Sequence, residues 1–293
     1  MDGAHRIEIE ANGLDFVAYE AGQGPLVLCL HGFPDHPRSF RHQVRPLTEA
    51  GYRVVVPFMR GYAPTSAAPD GCYLTSALSR DALALIDALG EETAVLFGHD
   101  WGALTAYGAA LLDPSKVSRL VSAAVPYGPG FLEKFVLDYA QLRRSWYVFL
   151  FQQPTAEMAV ANDGCAFIRH LWRDWSPGWD APAEEVDAVC ELLSDPPVLA
   201  AALGYYRSMF NPVGCSAELQ ADMARMHSEP IEVPSLYIHG RDDGCMGYDL
   251  SEGMEKMFPA GLDRMIVEGA GHFVHQEKPD EVNRAVLDFL ARD

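Results

Sequence analysis

Short apolar runs that alternate with helix-like segments constrain the fold of this sequence more than any other feature. The runs are Leu26–Leu30, Val54–Val56, Ala94–Phe97, Leu120–Val125, Leu236–Ile238 and Met265–Val267. Their lengths suit strands that are buried on both faces, as the strands of a parallel sheet are. Because helix-like segments separate the runs, we predict an α/β protein with a mostly parallel, doubly wound sheet.

Helical patterning is clearest in three of the intervening segments, about Thr75–Leu89, Gly102–Leu112 and Pro279–Leu290. Gly90 directly after the first of them is a typical helix stop. Near the N-terminus, apolar residues alternate with polar ones on both sides of Asn12-Gly13. That pattern predicts a β-hairpin before the parallel strands begin.

One long stretch breaks the alternation of strands and helices. From about residue 127 to residue 216 the sequence has no buried-strand run, while aromatic residues and helical patterning are frequent. We therefore predict a helical cap at residues 127–216, inserted between a first part of the sheet domain (1–126) and a second part (217–293). Most aromatic side chains of this stretch are expected to form the core of the cap itself.

The acidic composition narrows the range of partners. The 293 residues include 41 Asp+Glu against 22 Lys+Arg, which gives a net charge of −19. Such a surface repels phosphate backbones and anionic headgroups, so we expect neither nucleic acid nor a membrane as a partner. Neither a secretory signal nor an apolar run of membrane-spanning length is visible. A homo-oligomer is left open.

The six cysteines follow no metal-binding or redox pattern. None lies in a C-x-x-C pair or at zinc-finger spacing with histidine. Scattered cysteines in a chain without a signal lead us to expect reduced, mostly buried thiols and a cytoplasmic location.

The sequence Gly-His-Asp-Trp-Gly at 98–102 lies between the run Ala94–Phe97 and a predicted helix. Small residues on both sides of a central residue at such a junction are typical of a nucleophile elbow, a sharp turn with no room for larger side chains. The central residue here is Asp100, at a helix N-terminus that favours an anion. Two glycines that simply allow close packing are the alternative interpretation.

The sequence His-Gly-Phe-Pro at 31–34 directly follows the run Leu26–Leu30. A turn at this point can direct the backbone N–H of Phe33 toward the elbow. Together with the N–H of Trp101 it would form a two-donor oxyanion hole. An ordinary strand-ending turn explains the motif equally well.

A carboxylate and a histidine follow the last two predicted strands. Asp242 and Asp243 lie in Gly-Arg-Asp-Asp-Gly at 240–244, and His272 ends Gly-Ala-Gly-His at 269–272. Because the carboxyl ends of parallel strands meet at one edge of a sheet, these groups can converge on Asp100. Each signal alone is more often structural, but the ordered set of motifs favours a catalytic site.

In this order the motifs resemble those of the α/β-hydrolase superfamily, and specifically the soluble-type epoxide hydrolases. The resemblance covers nearly the whole chain and rests on HGFP at 31–34, RGY at 60–62, GHDWG at 98–102 and GAGHF at 269–273. It implies the α/β-hydrolase fold and the chain order nucleophile, acid, histidine, here Asp100, Asp243 and His272. Asp243 is favoured over Asp242 because the family places its carboxylate three residues after the glycine.

The same resemblance implies two general acids from the cap. The segment at 145–154 resembles the family's first cap-tyrosine segment and points to Tyr147, and Tyr-Tyr-Arg at 205–207 resembles the second and points to Tyr206. One departure concerns Asp-His-Pro at 35–37, where many relatives carry bulkier residues. That change is expected to widen or reroute the pocket.

A carboxylate nucleophile limits the reaction. Attack by Asp100 on a saturated carbon gives an alkyl ester that water can hydrolyse, so an epoxide or an alkyl halide is the expected substrate. Phenols such as Tyr147 and Tyr206 suit the oxygen of an epoxide. Dehalogenase relatives with an Asn in the H-G-x-P loop would need it in place of Phe33, and the fluoroacetate-cleaving relatives would need Arg in place of Trp101.

We therefore expect an epoxide hydrolase that converts a small apolar epoxide to a vicinal diol without a metal or an organic cofactor. Two alternatives stay open, a dehalogenase for haloalkanes or haloacids and a non-catalytic ligand-binding member of the fold. A serine-type esterase is disfavoured because Asp100, not serine, is at the centre of the elbow.

Overall fold

The computed structural model describes residue 1 and residues 3–292. Within that part of the chain, eight strands form one sheet: β1 His5–Ala11, β2 Leu14–Ala21, β3 Leu26–Leu30, β4 Arg53–Pro57, β5 Ala94–His99, β6 Val117–Ala123, β7 Ser235–Gly240 and β8 Leu262–Val267. Their order is β1-β2-β4-β3-β5-β6-β7-β8, and all neighbours from β4 to β8 run parallel. The predicted, mostly parallel sheet is confirmed.

The helices alternate with the strands from β3 to β6 and follow one another without an intervening strand from α4 to α11. Their bounds are α1 Arg41–Glu49, α2 Thr75–Ala88, α3 Trp101–Leu112, α4 Pro129–Leu137, α5 Tyr139–Arg144, α6 Trp146–Leu150, α7 Ala156–Ala161, α8 Ala166–Trp175, α9 Ala183–Leu193, α10 Pro196–Phe210, α11 Ala217–Arg225, α12 Val274–Glu277 and α13 Pro279–Leu290. In the described part of the chain, no helix has both the length and the apolar character needed to cross a membrane.

The central strands are buried on both faces. In β3, Leu28 and Leu30 belong to the hydrophobic core that α2 and α3 complete, whereas Val27 and Cys29 belong to the core that α1 and α13 complete. Covering a sheet on both sides removes the need for polar residues at every second position. This is why the strands are continuous apolar runs in the sequence.

The N-terminal hairpin is confirmed. β1, the edge strand of the sheet, pairs with β2 in antiparallel register. β2 in turn pairs antiparallel with β4. Asn12 and Gly13 form the turn with φ of +48° and +73°. Two successive residues with positive φ are the conformation that the Asn-Gly pair predicts.

Between Ala123 at the end of β6 and Ser235 at the start of β7, the described chain forms helices and loops but no strand. We use the name cap for residues 127–216; these boundaries stay a prediction. Hydrogen bonds that join the cap to the sheet domain include those from Trp172 Nε1 to the Pro34 carbonyl (2.9 Å), from Tyr205 OH to the Arg60 carbonyl (2.7 Å) and from Arg38 to Glu185 (2.6 Å).

The expectation of reduced cysteines is wrong for one pair. Cys72, just before α2, forms a disulfide with Cys215, just before α11. The partners are 143 residues apart in sequence, so only the tertiary structure brings them together and no local spacing could reveal them. Cys29, Cys190 and Cys245 are free and buried, and Cys165 is free and partly exposed. The cytoplasmic location, which rested partly on reduced thiols, stays a prediction.

Candidate active site

Asp100 makes the turn between β5 and α3. Its φ of +54° lies in the left-handed region, the strained conformation expected at the centre of an elbow. A Cβ atom at Gly98 would lie 2.1 Å from the carbonyl oxygen of Gly102, and one at Gly102 would lie 1.9 Å from that of Leu30. Both glycines are therefore required by the close approach of backbone segments around the turn.

The Asp100 carboxylate is buried beside the two groups that the sequence predicted for it. The backbone N–H of Phe33 donates to Oδ1 at 2.8 Å. Nε2 of His272 lies 3.6 Å from Oδ2. Trp101 is the first residue of α3, where backbone N–H groups have no acceptor within their own helix. Of the two predicted oxyanion donors, the Phe33 N–H thus contacts Asp100, and the Trp101 N–H belongs to the residue that follows Asp100.

Asp243 holds the other side of the His272 ring. His272 Nδ1 and Asp243 Oδ2 are 2.9 Å apart. The backbone N–H groups of Cys245 and Met246 donate to Oδ1 at 2.7 and 2.8 Å, so the carboxylate is fixed in this orientation. Asp242, the alternative considered from the sequence, is exposed.

The pKa values of the acid and the histidine move in opposite directions. Burial alone would raise the pKa of Asp243, but the charge of His272 and hydrogen bonds from His239 and His272 outweigh it and hold that pKa well below its usual range. Burial alone would lower the pKa of His272, but the acidic groups of Cys245, Asp243 and Asp100 raise it well above its usual value. The raised pKa of His272 favours the protonated ring beside the Asp243 carboxylate.

The two tyrosines predicted from the cap face the same cavity as Asp100. Tyr147 lies in α6 and Tyr206 in α10, their ring centroids are 5.8 Å apart, and both are buried. Burial raises the pKa of each phenol well above its usual value, and Asp100 contributes to both shifts. Both phenols consequently keep their protons at neutral pH and can donate them.

A cavity of about 90 Å³ separates these groups. Besides Asp100, Trp101, Tyr147 and Tyr206, its wall is mostly apolar and includes Leu104, Val125, Phe131, Phe135, Val148, Met209 and Met246. A few polar groups converging in an apolar cavity are typical of a site for a small molecule.

Asp35 and His36 do not belong to this wall as the structure describes it, and the effect of Asp-His-Pro at 35–37 on the pocket stays a prediction. Both are buried. An Asp35 oxygen lies 3.9 Å from His99 Nδ1, and His99 Nε2 contacts the His272 carbonyl at 2.9 Å. With His275, Asp35 and His99 offer ligand atoms within 4.8 Å of one another. Ordered water would satisfy them as well as a cation, and we assign no metal.

Two neighbours of the site were not identified from the sequence. Nε2 of His239 lies 3.2 Å from Asp243 Oδ2, and the thiol of Cys245 lies 3.3 Å from the hydroxyl of Tyr147. His239 is in β7 and Cys245 is two residues after Asp243. Their closeness to Asp243 in the sequence was the available signal, but their contacts depend on how the loop folds back.

Comparison with known proteins agrees with this geometry. A family model described as alpha/beta hydrolase fold matches residues 25–279. The chain is 30% identical over 318 residues to Epoxide hydrolase A of Mycobacterium tuberculosis, covering 96% of each protein. It is 30% identical over 313 residues to Epoxide hydrolase 1 of Siraitia grosvenorii, covering 99% of each.

Solved structures give the same result. The crystal structure of Epoxide Hydrolase A from Mycobacterium thermoresistibile superposes with a TM-score of 0.83 at 28% identity, covering 98% of both chains. The fold and the site define a hydrolase of the α/β class. The chain belongs to the α/β-hydrolase fold family and, within it, to the epoxide hydrolases.

Proposed function

We propose that this enzyme converts a small apolar epoxide to a vicinal diol through a covalent ester on Asp100. The names of its relatives support the choice of an epoxide. The observation that carries the mechanism is the position of the Asp100 carboxylate, held by the Phe33 N–H and directed into a cavity lined by two protonated phenols.

The first half-reaction forms the ester. An oxygen of Asp100 attacks an epoxide carbon, and the C–O bond of the ring breaks as the epoxide oxygen takes a proton. Tyr147 and Tyr206 hold this oxygen by hydrogen bonds, and one of them supplies the proton. The small, water-poor cavity strengthens these interactions because no solvent competes for them.

The second half-reaction hydrolyses the ester. His272 removes a proton from water, and the water oxygen attacks the carbonyl carbon of the Asp100 ester. The oxyanion that forms is stabilised by the backbone N–H groups of Phe33 and Trp101. Esterification removes the negative charge of Asp100 that helps to raise the pKa of His272, so the ring gives up its proton more readily and can then act as the base.

Trapping the ester tests the mechanism. In His272→Gln the base is lost while Asp100 and both phenols remain. We expect one ester to form per protein molecule and to persist, visible by mass spectrometry as an intact protein heavier by the mass of the epoxide. Asp100→Ala should show neither the mass increase nor any diol. Multiple turnover by His272→Gln at the wild-type rate would contradict the assigned roles.

The substrate class needs a separate measurement. A panel of aryl and alkyl epoxides scored for diol is run beside a panel of chloroalkanes and haloacids scored for halide. We expect diol from the epoxides and no halide, because a phenol, not a halide-binding amide or guanidinium, faces Asp100. Halide release without diol formation would replace the epoxide by an alkyl halide as the substrate.

A further inference from the structure

Cys245 is a buried thiol that the proposed mechanism does not use. It lies on the loop after β7 and has no exposed surface. Its Sγ atom is 3.3 Å from the hydroxyl of Tyr147, and either atom can be the donor. Cys245 does not contribute to the described wall of the substrate cavity. Cys245 therefore contacts Tyr147, the proposed general acid, from outside the cavity and cannot act on the substrate directly.

The same thiol is next to the base. The potential ligand atoms of Cys245, Asp243 and His272 all lie within 4.8 Å of one another. The Asp243 carboxylate is already occupied by His272 and by two backbone N–H groups. His272 Nε2 has no hydrogen-bond partner among the described residues, although it is completely buried. Cys245 thus lies beside both the proton donor of the first half-reaction and the proton acceptor of the second.

The second phenol lacks such a connection. Within the described chain, the hydroxyl of Tyr206 has no hydrogen-bond partner, and its ring packs edge-on against Trp101 and Phe33. Tyr147 and Tyr206 are therefore not equivalent. A phenol that can regain a proton from inside the protein is suited to donate one, whereas Tyr206 is suited to hold the oxygen.

Resting on the proposed function, we propose that Cys245 relays a proton from His272 to Tyr147 between the two half-reactions, which frees His272 to act as a base.

The protons balance as follows. After ester formation Tyr147 is a phenolate, and His272 still carries the proton of the free enzyme. Cys245 passes its S–H proton to the phenolate oxygen and takes the proton of the imidazolium. His272, now neutral, accepts one proton from water while the water oxygen bonds to the ester carbon. The acyl C–O bond breaks, the second oxygen of the diol takes the other proton of that water, and Asp100 returns as a carboxylate beside an imidazolium.

The ordinary acidities of the three groups give the transfer its direction. A thiol of pKa about 8.5 lies between an imidazolium of about 6.5 and a phenol of about 10, so each transfer goes to the stronger base. Burial raises the pKa of both the thiol and the phenol. Other ionisable groups around His272 and Cys245 are Asp100, Asp243, His99, His275, Glu277 and Tyr206.

Cys245→Ala tests the relay. We expect the ester to form at the wild-type rate, which also shows that the variant is folded. Its hydrolysis at neutral pH should be slower by about a hundredfold, the lower end of what proton transfer contributes. Hydrolysis should recover as the pH rises, because solution base then removes the His272 proton. Rapid-quench mass spectrometry across pH measures both steps. Cys29→Ala, another buried free thiol, is the matched control and should behave as wild type.

Two further variants separate a relay from packing. Cys245→Ser keeps a hydroxyl and should restore part of the hydrolysis rate, whereas Cys245→Val, which fills the space without a proton, should not. In a Tyr147→Phe background, Cys245→Ala should cause no further loss, while in a Tyr206→Phe background the full loss should remain.

The outcomes distinguish this inference from the proposed function. If the wild-type protein forms neither diol nor ester, the proposed function fails. If it forms both and Cys245→Ala hydrolyses the ester at the wild-type rate with the same pH dependence, only the relay is overturned. The relay is also overturned if adding Cys245→Ala slows ester hydrolysis equally in Tyr147→Phe and in Tyr206→Phe. A purely electrostatic role of Cys245 predicts faster rather than slower ester hydrolysis in Cys245→Ala, because removing Cys245 removes a group that raises the pKa of His272.

Discussion

At the scale of single residues, Asp243 and Asp242 show that position alone decides the role of a carboxylate. They are neighbours in one loop, yet Asp243 is buried against His272 and Asp242 is exposed. A buried carboxylate with a depressed pKa remains ionised and can both orient the imidazole and stabilise its charge. The exposed neighbour has water as its partner.

Replacing each carboxylate by its amide tests this assignment. Asp243→Asn should slow hydrolysis of the Asp100 ester by about 10²–10⁴-fold, because the imidazole loses its orientation and its counter-charge. Asp242→Asn should leave the rate unchanged and serves as the control. Single-turnover decay of the ester, followed by mass spectrometry, gives both rates. A larger loss in Asp242→Asn than in Asp243→Asn would reverse the assignment.

The shifted pKa of His272 also predicts how the stability of the protein depends on pH. Since the pKa of His272 is raised on folding, protonated His272 adds to the free energy of unfolding. This contribution is complete below the ordinary pKa of about 6.5 and is lost as pH rises through the folded-state pKa. Urea midpoints of His272→Gln should therefore decline less on the alkaline side than those of wild type. His170→Gln, at an exposed histidine, should keep the wild-type decline. Parallel curves for wild type and His272→Gln would refute this linkage.

At the scale of elements, the elbow depends on how closely three backbone segments pass one another. The end of β3, the end of β5 and the start of α3 meet where a Cβ on Gly98 or Gly102 would overlap a carbonyl oxygen. Asp100, the proposed nucleophile, is thus positioned by close backbone packing as well as by the hydrogen bond that it accepts from Phe33.

Gly98→Ala should therefore destabilise the protein by about 1–3 kcal/mol, because the new methyl group can fit only if backbone moves. Gly130→Ala in α4 is the control, since nothing lies within 4 Å of the Cβ it would add. Urea unfolding measures both. Equal stability of the two variants would show that the turn is looser than the structure indicates.

Sequence and structure agree most closely where burial alone determines the pattern. Strands such as β3 and β5 were predicted because both of their faces are covered and their apolar runs are continuous. α1, by contrast, includes a proline and several polar residues, and no helix was predicted there. Asp100 and His272 were identifiable because local motifs mark them. The thiol of Cys245 was not, because its contact with Tyr147 joins residues 98 positions apart.

At the scale of the whole molecule, the disulfide links the sheet domain to the C-terminal end of the cap. Cys72 is in the sheet domain before α2, and Cys215 lies where the chain returns from α10. Around it pack Leu74 and Ala77, with Leu219 of α11 beside them. A cross-link between residues so far apart in sequence restricts the unfolded chain strongly.

Cys72→Ser should lower the free energy of unfolding by about 2–5 kcal/mol, the usual effect of removing a native disulfide. Dithiothreitol should shift the urea midpoint of wild type in the same direction and leave that of Cys72→Ser unchanged. Cys29→Ala, which removes a free thiol, should remain sensitive to the reductant. If wild-type stability did not respond to dithiothreitol, the cross-link would be absent from the folded protein in solution.

Every group proposed to react is shut away from water, since Asp100, Tyr147, Tyr206 and His272 are each no more than 4% exposed. Such a closed cavity would protect the proposed ester from unassisted hydrolysis, but the protein must then open to admit each substrate molecule and to release each product. The contacts that tie cap to sheet domain are then part of the catalytic cycle, because their strength governs how often the chamber opens. Opening of the cap can therefore limit the turnover rate of this enzyme as much as the chemical steps do.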